Sequence, residues 1–232
     1  MLKAILFDLD NTLLDFSGFK RETALAAAKA MRKTGVPHDE KLIYNKVFEI
    51  YERKGIEYQL TFNEVLRELG IENHSQFERA KQAAIIAYTK KKFELIRPRT
   101  SVIRVLNSLK GKYKLGIVTD APKDKAWQRL ILAGLDGYFF PVVTFSDTNV
   151  QKPSTTPFKR ALALLKIQAS EALYVGDNPE RDMIGAKKAG LHTCLAKYGC
   201  MDYAEEMDVA DYSLDELGKL KNVIKQIEGE DG

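Results

Sequence analysis

Hydrophobic positions follow one rhythm at the start of the chain, a second through a long middle stretch, and an alternation of both afterwards. Leu2 to Phe7 form a short apolar run closed by polar residues, the pattern of a buried strand. Helical spacing then takes over. Ala24, Leu25, Ala28 and Met31 share a stripe that stops at Gly35 and Pro37, and Ile43, Val47, Ile50 and Tyr51 make the next. Thr61 with Glu64, and Ser75 with Glu78, have the spacing of capping boxes. They precede the apolar sets Val65, Leu66, Leu69 and Ala80, Ala83, Ala84, Ala87, Tyr88. No strand pattern interrupts residues 16–95, which predicts an all-α bundle inserted directly after the first strand.

From Arg97-Pro98 strands and helices alternate. Val102, Val105, Leu106 and Leu109 mark a helical face ended by Gly111. Strand runs follow at 113–118, 139–145, 172–175 and 191–196. Between them lie a helix over 123–133 closed by Gly134, one opened by Thr156-Pro157, and one opened by Asn178-Pro179 and running to Gly190. Ser213 and Glu216 would cap a last helix carrying Leu217, Leu220, Ile224 and Ile227. Alternation of this kind predicts an α/β core with a parallel sheet covered on both faces. The core would span residues 1–15 and 96–232, with 16–95 as the inserted helical domain and 228–232 as a frayed tail.

The composition, 45% hydrophobic and 29% charged over 232 residues, supplies a sizeable core. A formal net charge of +4, scattered rather than clustered, argues against a nucleic-acid partner. No apolar run approaches a membrane span, and no signal peptide is expected, since the N-terminus goes straight into the first strand. Cys194 and Cys200 lack metal-ligand spacing, so a reduced, cytoplasmic setting is expected. His38, His74 and His192 form no constellation. Trp127 and the aromatics Phe48, Tyr51, Tyr58, Phe62 and Tyr88 read as packing.

The chemistry concentrates where the first strand ends. Asp8 and Asp10 are two apart and can face one site at the strand's carboxyl end, where open α/β sheets bind ligands. Two such carboxylates raise each other's pKa unless a cation lies between them. Further polar stations follow later strands: Thr119-Asp120, Lys152-Pro153, and Asp177 with Asp182. Each alone reads as turn or capping chemistry.

Together, the string from Phe7 to Leu14, then Thr119, Lys152-Pro153 and the string from Gly176 to Asp182, resemble in order the four motifs of the haloacid dehalogenase superfamily. The resemblance covers nearly the whole chain. It implies a Rossmann-like, doubly wound parallel sheet, with the helical insert as a cap domain of the phosphatase-like branch. It casts Asp8 as the nucleophile and Asp10 as the general acid and base. Thr119 and Lys152 would be catalytic partners that bind the phosphate, together with Asp8, Leu9, Asp10 and Asp120. Mg²⁺ would be held by Asp8, Asp177 and the Asp10 backbone carbonyl, with Asp182 behind them, orienting Lys152 or a metal-bound water. The implied activity is a Mg²⁺-dependent phosphatase acting on a small phosphorylated metabolite through an aspartyl-phosphate. The expected molecule is a monomer or weak homo-oligomer with no nucleic-acid or membrane partner. A 2-haloacid dehalogenase, a phosphomutase and a non-catalytic metabolite sensor remain open on the same scaffold. Retention of Asp10 favours phosphoryl chemistry, because dehalogenases of the family replace that aspartate.

Overall fold

The structure, a computed structural model, describes residues 1–200 and 209–229. The chain divides into two compact units, residues 1–16 with 96–232, and residues 17–95. In chain order the elements begin with strand β1 (Ala4–Phe7) and helices α1 (Phe16–Lys33), α2 (Glu40–Lys54), α3 (Thr61–Glu68) and α4 (His74–Leu95). Then come α5 (Val102–Leu109), β2 (Lys114–Val118), α6 (Lys123–Leu132), β3 (Val142–Val143), α7 (Phe145–Thr148), α8 (Thr156–Leu165) and β4 (Ala172–Gly176). A wide π-type turn (Pro179–Met183) leads into α9 (Ile184–Lys188), followed by β5 (His192–Ala196), β6 (Tyr212–Leu214) and α10 (Leu220–Glu228).

The helical unit carries a core of its own. Ala24, Ala28, Met31, Ile43, Val47, Ile50, Val65, Leu66, Ala80 and Ala84 are buried together, with Phe48, Tyr58, Phe62 and Tyr88 packed around them. The capping expectations need correction. Thr61 is the first residue of α3 and its hydroxyl donates back to the Tyr58 carbonyl ahead of the helix, while α4 is capped by Asn73, whose Oδ1 accepts from Gln76 N. Asn73 lies just ahead of the helix, where a carboxamide reaches the first-turn N–H groups better than a serine at the second helical position.

In the other unit six parallel strands pair in the order β3-β2-β1-β4-β5-β6, a Rossmann-like arrangement. β1 is central, and all four of its residues are buried. Alternation sends Ala4 and Leu6 to one face, with Val118, Tyr174 and Leu195. Phe158, Ala161, Leu162 and Leu165 of α8 and Ala186 of α9 cover that face. Phe7 points to the opposite face, edge-on to Phe139 with ring centroids 6.1 Å apart. Each fully buried large apolar side chain is worth about 1.5–3 kcal/mol, so the strand that ends at Asp8 is firmly anchored. The two chain crossings are tied at their base: Arg99 N donates to Leu13 O over 2.9 Å, and Arg99 pairs with Asp15.

Three stretches and the side chain of Trp127 depart from the sequence-based expectation. The run over 139–145 yields only the two residues of β3, because Thr144 starts a capping box with Asp147 that turns the chain into α7. Ser213 caps no helix; it pairs opposite Leu195 in the edge strand β6. Glu228 is not frayed, since its carboxylate accepts from Leu2 N and Tyr113 Oη; residues 230–232 lie outside the described residues. Trp127 is exposed on α6 rather than packed.

Candidate active site

Strand pairing ends at Phe7, and Asp8 is held just beyond it by its amide, which donates to Val175 O over 2.9 Å. Lys152 reaches the same point from the loop ahead of α8. Its Nζ donates to Asp8 Oδ1 and to Asp182 Oδ1, both over 2.6 Å, and lies 3.0 Å from the Tyr174 hydroxyl. An ammonium has three protons. These three partners use them, and the fourth contact, 3.3 Å to Val118 O, is secondary. The Tyr174 hydroxyl in turn donates toward Asp182 Oδ1 or Val118 O. The loop is fixed by Asp120, whose Oδ1 accepts from Lys152 N over 2.9 Å.

Asp182 is delivered by the π-type turn. Asn178 Oδ1 accepts from Arg181 N to start that turn, and Asp182 Oδ2 accepts from Asn178 N over 3.0 Å. Gly176 makes room: a Cβ there would sit 2.6 Å from Asp182 Cγ. Gly199 does the same for the turn after β1, since its Cβ would lie 2.3 Å from Asn11 O and 2.8 Å from Asp177 Cβ. Asp177 Oδ1 accepts from the Thr12 hydroxyl over 3.2 Å.

Asp8, Asp177 and Asp182 thus form one buried cluster in which one carboxylate oxygen from each lies within 4.8 Å of the other two. Burial raises Asp8 above the usual carboxylate range despite Lys152, with Asp182, Asp177 and Asp10 adding to the effect. Burial, then Asp182, pushes Asp177 up to about 7. Lys152 resists its own burial because Asp182 and Asp8 hold its charge, and its pKa lies above the usual lysine value. Three carboxylates against the Lys152 ammonium and the Arg181 guanidinium leave a deficit of positive charge, and the donors are hard oxygens. That set fits a divalent cation such as Mg²⁺. Asp182 is committed to Lys152, Tyr174 and Asn178, so Asp8 and Asp177 would supply the carboxylate ligands.

The other anticipated residues are placed differently. The Asp10 side chain lies outside that cluster. Its Oδ2 accepts from Arg129 Nη1 over 2.6 Å, which leaves to its backbone carbonyl the metal-ligand part the resemblance implies. Thr119 is buried at the end of β2, its Oγ1 accepting from Ala121 N, so its proton remains available to donate. Leu9 has a fully buried side chain, which leaves only its backbone for phosphate.

These geometries occur in a chain whose residues 5–196 match the sequence profile described as haloacid dehalogenase-like hydrolase. The chain belongs to that family. Among relatives of this haloacid dehalogenase-like hydrolase is the glyceraldehyde 3-phosphate phosphatase of Methanopyrus kandleri, 32% identical over 98% of this chain and 99% of its own. The HAD phosphatase of Thermococcus onnurineus superposes with a TM-score of 0.68 at 25% identity, covering 96% of this chain and 98% of its own. The HAD-hydrolase YfnB of Bacillus subtilis, in a magnesium-bound structure, gives a TM-score of 0.67 at 21% identity, over 97% and 99% of the two chains, and speaks for the fold. The chain is therefore an enzyme of the hydrolase class with phosphatase relatives. No helix among the described residues is long and apolar enough to cross a membrane.

Three residues of this hydrolase's site escaped the sequence reading: Tyr174, Thr12 and Arg129. Arg129 had a signal, because it shares a helix face with Ala126, Leu130 and Ala133, all buried. Tyr174 stands in a buried strand beside Leu173 and Val175, where only its hydroxyl hinted at a polar partner. Cys194 is buried, its thiol pushed up to about 12, which keeps it unreactive.

The raised Asp177 carboxyl has a measurable consequence. An acid whose pKa is about 7 in the folded state, against 3.8 for an ordinary aspartate, binds more protons when folded. Cation-free protein is therefore expected to lose stability as pH rises through that window. A bound dication favours the ionised form, so Mg²⁺ should raise Tm more at about pH 8 than at about pH 5. Thermal scans in chelator and in Mg²⁺ at both pH values check this; equal Mg²⁺ shifts would contradict it.

Proposed function

We propose that this hydrolase is a Mg²⁺-dependent phosphatase that acts on a small phosphorylated metabolite through an aspartyl-phosphate on Asp8. The observation that carries the reading is Asp8 itself, buried at the carboxyl end of the central strand with Lys152 on Oδ1 and Asp177 nearby. With Oδ1 engaged, Oδ2 is the oxygen placed to attack phosphorus. The P–O bond to the leaving group breaks as the Asp8–phosphorus bond forms, and Asp10 gives its proton to the departing alkoxide. Asp10 then takes a proton from the water that releases inorganic phosphate. Lys152 and the Thr119 hydroxyl bind phosphate oxygens, and Asp182 with Tyr174 keeps Lys152 pointed at them. Mg²⁺ bound by Asp8 and Asp177 would supply charge neutralisation between the anionic substrate and the acidic site. The helical unit is proposed as the cap that selects substrates, from its insertion between the first two motifs.

Relatives described as glyceraldehyde 3-phosphate phosphatases make that triose phosphate the first substrate to assay. A panel containing it, sugar phosphates, pyrophosphate and 2-haloacids, run in Mg²⁺ and in excess chelator, tests the reading. Phosphate release that vanishes on chelation and returns with Mg²⁺ is expected. Metal-independent turnover, or halide release, would replace it with the dehalogenase reading. Net isomerisation of a sugar phosphate would replace it with a phosphomutase.

A further inference from the structure

α6 carries Lys123, Lys125 and Arg129, and of these Arg129 is the one turned inward. Its side chain is 4% exposed, against 20% for Asp10, whose Oδ2 it meets over 2.6 Å. The guanidinium carbon also lies 4.4 Å from the centroid of the Phe16 ring. Burying a cation is costly, and a single ion pair seldom recovers the whole cost. What such a site does supply is direction: the guanidinium is planar, is stacked on a fixed ring, and has donors only. It does not titrate in the working range, so it takes no part in proton transfer itself.

We infer that Arg129 is a positioning residue for the acid–base step: by holding Asp10 Oδ2 it makes Oδ1 the oxygen that exchanges the proton. This rests on the acid–base role proposed above for Asp10. In the first step the proton on Oδ1 passes to the leaving oxygen as its bond to phosphorus breaks. In the second, a proton of water passes to Oδ1 as the water oxygen bonds phosphorus and the Asp8–phosphorus bond breaks. Oδ2 stays an acceptor throughout, because a donor-only neighbour disfavours a proton there. Without Arg129 the carboxylate would rotate, and either oxygen would be misaimed for part of the time.

The test is quench-flow capture of the phosphoenzyme in single turnovers of the full chain with Mg²⁺, using an alkyl phosphate and p-nitrophenyl phosphate. The alkoxide needs a proton to leave, whereas nitrophenolate barely does. Asp10→Asn is expected to slow phosphorylation by the alkyl phosphate by about 10²–10⁴-fold and to affect the aryl phosphate far less. Arg129→Met is expected to slow the alkyl phosphate by about 10–10²-fold, the scale of a misplaced group, and to leave the aryl phosphate little changed. Arg129→Lys should recover part of the loss, and Arg129→Met added to Asp10→Asn should cost nothing further.

Equal losses on both substrates in Arg129→Met, or none on either, overturn the inference. If Arg129→Met does not fold, Arg129→Lys and Arg129→Gln are compared. The lysine variant should keep an alkyl-to-aryl ratio closer to wild type, and identical ratios overturn the inference. Equal losses on the two substrates in Asp10→Asn itself would instead remove the acid–base reading of Asp10, and this inference with it.

Discussion

Asp8→Asn is expected to leave no trapped phosphoenzyme from any substrate and to lower turnover by on the order of 10⁶-fold, the scale seen when a nucleophile is removed. The substitution is nearly isosteric. An asparagine oxygen can still accept from Lys152 Nζ, which now lies 2.6 Å from Asp8 Oδ1, so the buried network has no reason to collapse. What disappears is the anionic oxygen that attacks phosphorus. Stability should move the other way from activity. Ionised Asp8 is disfavoured by burial and by Asp182, Asp177 and Asp10 around it, so a neutral side chain relieves the cation-free site. In chelator the variant should melt no lower than the parent protein. Acid-quenched radiolabel incorporation and thermal scans on the same preparation check both halves. Residual phosphoenzyme in a well-folded variant would move the nucleophile elsewhere.

Lys152→Met should have the largest effect on folding. The ammonium forms close ion pairs with both Asp8 and Asp182, and all three side chains are at most 8% exposed. Solvent therefore does little to screen the pair. Removing one partner of a buried ion pair typically costs about 3–5 kcal/mol, because the other is left buried without compensation. Here two carboxylates would be left. The Tyr174 hydroxyl would also lose the Lys152 donor, though it can still donate to Asp182 or Val118 O. The loss should shrink at low pH, since stranded carboxylates take up protons and their repulsion ends. Chemical denaturation of both proteins at about pH 5 and about pH 8 measures this. A small loss that is identical at both pH values would mean that the carboxylates relax apart. Activity should fall as well, for want of the cation that binds the transferred phosphate.

How far the sequence could be read depended on whether a feature was local. β1 was legible because an apolar run closed by two aspartates needs no partner to be recognised. The helical unit was legible through stripes such as Ile43, Val47, Ile50 and Tyr51, which the structure buries together. Edges were not. Ser213 has a capping side chain, yet pairing with β5 through Leu195 draws it into β6, because hydrogen bonds along a strand outweigh one side-chain cap. Glu228 has the local look of a loose tail, although Leu2 and Tyr113, more than a hundred residues away along the chain, hold it.

The candidate site divides in the same way. By itself the sequence determined which residue types stand at the strand ends and in what order: Asp8, Asp10, Thr119, Lys152, Asp177 and Asp182. Residue type and spacing carry that information, because parallel strands deliver their ends to one edge of the sheet. Only the tertiary structure decided which carboxylates meet. It gathered Asp8, Asp177 and Asp182 around one buried charge, and it set the side chain of Asp10 outside that cluster, against Arg129. A side chain's direction beyond the end of a strand is set by what packs against it. Here that is a cation from α6 stacked on Phe16 and a hydroxyl from the middle of β4, brought in from distant parts of the chain.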